Sequence, residues 1–242
     1  MDEPTPEELS RVREIVASAS ADQTLRTLRR EMAAFAAATF LEAGQNVHAI
    51  GHVLGSDRKD GLSPFGHGND EAVGVSVLLR IGAQLISASA DLLEGGRPYA
   101  GAALLRQIVE IEYLAWAFES RDGDAQRWLR SDKALREEFF RPAKLRKAAE
   151  GRFRSKDYDY HCELGGHPVP VGTILLSNDA NYPQLLLSDL LGHAGRIWNH
   201  FVVWGMRNDP YGLPIQKHSK EMSERLSAWM EADPLTRLPA PP

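Results

Sequence analysis

The sequence has one cysteine, Cys162, among its 242 residues. That excludes an internal disulfide, and one thiol cannot build a thiolate metal site. Phosphate-cradling glycine loops, C-x-x-C pairs, H-E-x-x-H and G-x-S-x-G are all missing, which removes the commonest nucleotide, zinc and serine-hydrolase readings. There is no run of about 18 uncharged apolar residues. The nearest stretch, Val73 to Ala90, is broken by Arg80, Gln84 and several serines. The opening MDEPTPEELS is acidic, has no apolar stretch and does not read as a secretory signal. A cytoplasmic protein with no membrane partner is the expectation. The net charge of −5 excludes a protein that is basic throughout, as many nucleic-acid binders are.

What is present is helical. Hydrophobic residues at 43% and charged residues at 25% suit a globular chain with a substantial core. Thr5-Pro6-Glu7-Glu8 reads as a capping-box start for a first helix. Asp22 caps a second, with Leu25, Leu28, Met32, Phe35 and Thr39 stepping by three and four. The run GSDRKDGLSPFGHGND reads as a loop from Gly55 to Asp70. Further helices are expected at about 71–94, 98–119, from Asp122 or Asp124 to a break at Pro142, 155–165, 183–207 and 216–231. This is an all-α chain, an up-down bundle of seven to eight helices. The expected division is an N-terminal helix at 1–20, a bundle at 21–232 and a mobile tail at 233–242.

Four patterns carry candidate chemistry. Arg106 and Glu110 stand four apart, on the face of their helix opposite Leu104, Ile108, Ile111 and Ala115. Arg before Glu is the weaker order for helix support. In YPQLLLSDLLGHAGRIWNHFVVWGMR, the residues Asp189, His193, Arg196 and His200 form a polar seam beside the apolar face of Leu186, Leu190, Ile197, Phe201 and Trp204. Such a seam either locks helix register or forms a site. His48 and His52 have the spacing of metal ligands on a helix, but no Glu-x-x-His repeat accompanies them. No metal and no other cofactor is therefore expected. RPAKLRKAAEGRFRSK (141–156) sets seven basic residues against one Glu, leaving 21 basic and 32 acidic residues elsewhere. Lys144, Lys147, Arg152 and Arg154 in this block form a candidate phosphate grip. In YHCELGGHP, Gly165 suits a helix C-terminus, and His167 is confined to extended backbone by Pro168. His161 lies on the preceding helix beside Tyr160, and either imidazole can exchange protons near neutral pH.

LLRQIVEIEYLAWAFE followed by YHCELGGHP resembles a family of all-helical bacterial proteins classed as a domain of unknown function, across about residues 98 to 207. The matching positions are Arg106, Glu110, Tyr160, Leu164, His167 and Pro168; Gly165 replaces a serine. The resemblance implies a helical fold and no particular activity. RIWNH (196–200) is also similar, more distantly, to the Arg…His motif of HEPN-type bundles, several of which are ribonucleases of toxin and phage-defence systems. It has three intervening residues where that motif has four to six. That likeness implies Arg196 and His200 as a metal-independent catalytic pair; His193 and His167 are further catalytic candidates read from the residues, and RNA would lie along the basic block.

The reading is a helical binding or regulatory protein, expected as a homodimer. HEPN-like ribonuclease is the first alternative and a metal-dependent helical oxidoreductase the second.

Overall fold

The computed structural model describes residues 5–54, 69–153, 155–177 and 179–238. No strand occurs among them, and ten α-helices carry the fold. The first, α1, spans Pro6–Ala21 and starts on the expected capping box: Glu8 N donates to Thr5 Oγ1 and Thr5 N to Glu8 Oε2. Helix α2 runs from Gln23 to Leu54, with Asp22 Oδ1 accepting from the amides of Thr24 and Leu25. It passes through Gly44, where a Cβ would stand 3.1 Å from Ser76 O. Asn69 caps α3 (Asp70–Glu94), and α4 covers Pro98–Ser120. Most of the expected loop at 55–70 lies outside the described residues.

The sequence reading undercounts the helices after Asp124. Three short helices stand there: α5 (Asp124–Leu129), α6 (Lys133–Leu135) and α7 (Pro142–Ala148). Asp132 restarts the chain by accepting from Leu135 N, and Pro142 restarts it again. Helix α8 (Ser155–His161) leads into a π-helical turn at Cys162–Gly166. The all-α fold is completed by α9 (Asn181–Arg207) and α10 (Leu213–Ala232).

Helix α2 packs along α3, α3 along α4 and α4 along α9, while α9 also reaches α2 and α10 lies on α2. The expected apolar face of α9 is buried throughout. Helix α3 is long and apolar enough to cross a membrane, but 61% of its most apolar window is buried in the bundle, as in a core helix. Helix α4 is enclosed on nearly every side. Tyr113, which the helical wheel sets opposite the apolar face, is covered by Phe153 and Tyr158.

The closing segment, read as mobile from Asp233, is tied down at its start. Asp233 is fully buried, and its carboxylate takes Arg29 in a two-pronged bond of 2.6 and 2.7 Å. Trp229 Nε1 and Leu235 N also donate to it. Burying this pair is tolerable because both charges are almost fully hydrogen-bonded.

Candidate metal centre

The centre of α4 holds a buried carboxylate, Glu112, whose side chain is 6% exposed. Its partners come from the seam on α9. His193 Nδ1 lies 2.6 Å from Glu112 Oε2, and Arg196 Nε donates to Oε1 at 2.9 Å. Burial pushes the Glu112 carboxyl up. The His193 bond and the charges of His193 and Arg196 outweigh it and hold the group below the ordinary carboxylate range. Glu112 is thus a carboxylate at neutral pH and takes the Nδ1 proton of His193. Arg196 Nη2, 2.7 Å from that same nitrogen, is then a close neighbour instead of a second donor.

With Nδ1 against Glu112, His193 turns Nε2 away from it, the atom that carries a lone pair whenever the ring is neutral. That atom meets His161 Nε2 at 3.2 Å and Asp189 Oδ1 at 3.6 Å, and Asp189 Oδ2 lies 3.3 Å from His161 Nε2. Both imidazoles are buried, whereas Asp189 is 35% exposed and opens the cluster to solvent. Among the described residues, this is the one group of three His, Cys, Asp or Glu side chains whose ligand atoms converge closely enough for a metal.

The position of His161 depends on the glycine pair that follows it. A Cβ on Gly165 would stand 2.7 Å from Ala102 Cβ and 2.8 Å from Ala103 N. Only glycine lets the π turn lie directly on α4, and this close approach sets His161 against α9. Gly165 therefore serves packing as well as chain punctuation. Tyr160 contributes an edge-on ring contact to His161. π turns of this kind recur at functional sites.

The other candidates go elsewhere. Arg106 pairs with Glu110 at 3.0 Å, and Tyr158 OH donates to the same Glu110 oxygen. Burial and the nearby Glu110 charge raise the Tyr158 phenol well above its usual range. The His167 ring is exposed; its carbonyl accepts from Tyr99 OH, and its backbone is extended as expected before proline. His200 Nδ1 faces Glu119 Oε2 at 2.5 Å, so Arg196 and His200 answer to different carboxylates. His48 sits 3.4 Å from Ser76 Oγ, and its ring stacks over His52. Burial first, with Arg80 and His52 adding to it, lowers the His48 imidazole from its ordinary range. No third ligand joins that pair among the described residues. In the basic block, Lys144, Lys147 and Arg152 are exposed, while Arg146 lies over the Tyr158 ring and pairs with Asp159. Arg154 lies outside the described residues.

Sequence reasoning missed Glu112, Glu119 and Tyr158 as site residues, and kept Asp189 only as a seam member. A charged residue inside the apolar run QIVEIEYLAW was the available signal for Glu112.

No protein family, curated protein or solved structure matches this chain. The likenesses described under Sequence analysis therefore rest on the quoted residues alone.

Proposed function

We propose that the protein is a helical-bundle binding protein for a divalent transition-metal ion, zinc foremost, held by His161 Nε2, His193 Nε2 and the Asp189 carboxylate. The observation that carries this reading is the spacing of those atoms. Around zinc with ligands at about 2.0–2.1 Å, neighbouring donors of a tetrahedron lie about 3.3–3.4 Å apart. The three separations here are 3.2, 3.3 and 3.6 Å. Two of them use different Asp189 oxygens, and a small turn of that half-exposed side chain serves both histidines from one oxygen. An octahedral Mg²⁺ site sets neighbours about 2.9 Å apart and prefers oxygen donors throughout.

Glu112 supports the same reading. A metal-bound imidazole commonly gives its other N–H to a carboxylate, which fixes the ring and raises its basicity. His193 already has that arrangement. Three protein ligands leave a fourth position on the exposed Asp189 side for water or a small ligand, the pattern of reactive rather than closed zinc sites. One carboxylate cannot serve the paired ions of a di-iron bundle, so the oxidoreductase alternative is less well supported. The ribonuclease alternative is weakened by the separate pairing of Arg196 and His200.

The test is calorimetric titration of chelator-treated protein with Zn²⁺, with Co²⁺ used for its visible spectrum. One equivalent is expected, with an intense tetrahedral-type cobalt band. Loss of binding is expected in His161→Ala and His193→Ala, and weakening in Asp189→Asn, with His48→Ala unchanged. Absence of saturable binding would refute the proposal. Metal-free RNA cleavage abolished by His200→Ala at unchanged Tm would replace it with the ribonuclease.

A further inference from the structure

A second polar feature lies apart from the metal centre, where the first turns of α2 and α9 meet the last turn of α3. A cavity of about 190 Å³ is lined there by Gln23, Arg26, Thr27, Arg30, Glu94 and Gln184, with no apolar side chain among them. Its buried wall is Gln184, only 5% exposed. Gln184 Oε1 accepts from Arg29 Nη1 at 2.9 Å. A guanidinium has donors and no acceptor, so the amide must show its oxygen to Arg29. Its NH₂ group is therefore turned the other way, into the cavity. Arg29 is itself immobilised by Asp233 and by Ala19 O, so this orientation is fixed. Among the described residues, the Gln184 NH₂ has no hydrogen-bond partner. That NH₂ reaches the solvent of the cavity, so the amide is a fixed, outward-facing donor available to a ligand.

Arg26 and Arg30 stand one turn apart on α2, where like charges repel. Among the described residues neither forms an ion pair or hydrogen bond, and each feels Glu94 only at longer range.

We propose that this cavity binds a small oxyanion, a phosphate or carboxylate group, between the Arg26 and Arg30 guanidinia and the Gln184 amide. Thr27 and Gln23 offer further polar contacts on the α2 side. Glu94 lines the cavity as its only anionic group. Burial raises this carboxyl from its ordinary range, which lessens its opposition to an incoming anion. The ligand's charge relieves the repulsion between the two arginines, and its oxygens accept from the oriented Gln184 amide. This site shares no residue with His161, Asp189 and His193, so either proposal can fail without the other.

The experiment is isothermal titration of the full chain with inorganic phosphate and, separately, with acetate, at ionic strength held constant with sodium chloride. Saturable phosphate binding with Kd about 1 mM or tighter is expected. Arg26→Ala and Arg30→Ala should each weaken it about ten-fold, the loss of one charge-assisted contact. Both side chains are exposed, so the unliganded Tm should stay where it is. Glu94→Gln should tighten binding several-fold by removing the opposing charge, a response that non-specific screening would not give. Saturable binding of acetate as well as phosphate assigns the site to oxyanions generally, and phosphate alone narrows it to tetrahedral anions. The proposal is overturned by no saturable binding of either anion, or by binding that survives in the Arg26→Ala, Arg30→Ala double variant.

Discussion

Replacing Glu112 by glutamine tests whether the α4–α9 seam only holds helices together or also prepares a ligand. The substitution keeps the size of a side chain that is 6% exposed and removes its charge. Glutamine keeps one carbonyl oxygen, so it can accept from His193 or from Arg196, and its NH₂ then meets a donor at the other. A hydrogen bond to a charged group contributes about 1.5–3 kcal/mol. The Arg196 contact needs discounting, because that guanidinium is 49% exposed and can turn to water. His193 is 1% exposed and has no such escape. The expected loss of stability is about 2–3 kcal/mol, mostly from His193.

The effect on metal is separate from the effect on folding. Without the carboxylate, His193 is less basic, and its ring is free to adopt the other tautomer. Losing a partner of this kind commonly costs 10–100-fold in metal affinity, about 1.4–2.7 kcal/mol. Urea denaturation in chelator and Zn²⁺ titration of the same folded preparation measure the two quantities independently. A stability loss accompanied by zinc affinity unchanged within about two-fold would refute the orienting role, since a ten-fold loss is the least that role allows. Glu112 would then be a bundle-locking residue alone.

Two further outcomes follow from the packing. Asp233→Asn leaves the Arg29 guanidinium buried without its counter-charge and should destabilise the protein by about 3–5 kcal/mol in urea melts; a loss under about 1 kcal/mol would show that water reaches Arg29. Gly165→Ala drives a Cβ into the α4 backbone and should lower stability by about 1–3 kcal/mol while weakening zinc binding; unchanged zinc affinity would mean that the π turn does not set His161.

The long elements were legible because their information is local. Thr5 with Glu8, and Asp22, mark ends that depend on neighbours within one turn. The face of α9 showed in the spacing of Leu186, Leu190, Ile197, Phe201 and Trp204. In the segment after Asp124 the break at Pro142 was legible, but the restart at Asp132 was not, because capping chemistry overrides periodicity there. Tyr113 misled differently. A helical wheel assumes one buried face, but α4 is enclosed by α3, α9 and the α7–α8 region together. The candidate site was legible only in fragments. His193 and Asp189 share a helix and were read together, whereas Glu112 and His161 are 81 and 32 residues from His193 in sequence. No periodicity within one helix can show which residue of another will face it.

The two buried polar networks of this bundle differ in a way that bears on function. Around Arg29, donors and acceptors are matched: the guanidinium gives hydrogen bonds to Asp233, Gln184 and Ala19, and Asp233 takes two further donors. That ion pair closes on itself, and of the groups around it only the Gln184 NH₂ faces away, into the cavity. Around His161 the arrangement is different. His161 Nε2, His193 Nε2 and the Asp189 oxygens stand 3.2, 3.3 and 3.6 Å apart, and Asp189, 35% exposed, opens them to solvent on one side. A pair built only to fix helix register is served best by a sealed set such as Arg29 with Asp233. On the proposed reading, two imidazole nitrogens and a carboxylate at tetrahedral spacing, reachable from solvent, are what a cation requires. That convergence and opening, more than the presence of two histidines, distinguish this seam from the structural pair at Arg29.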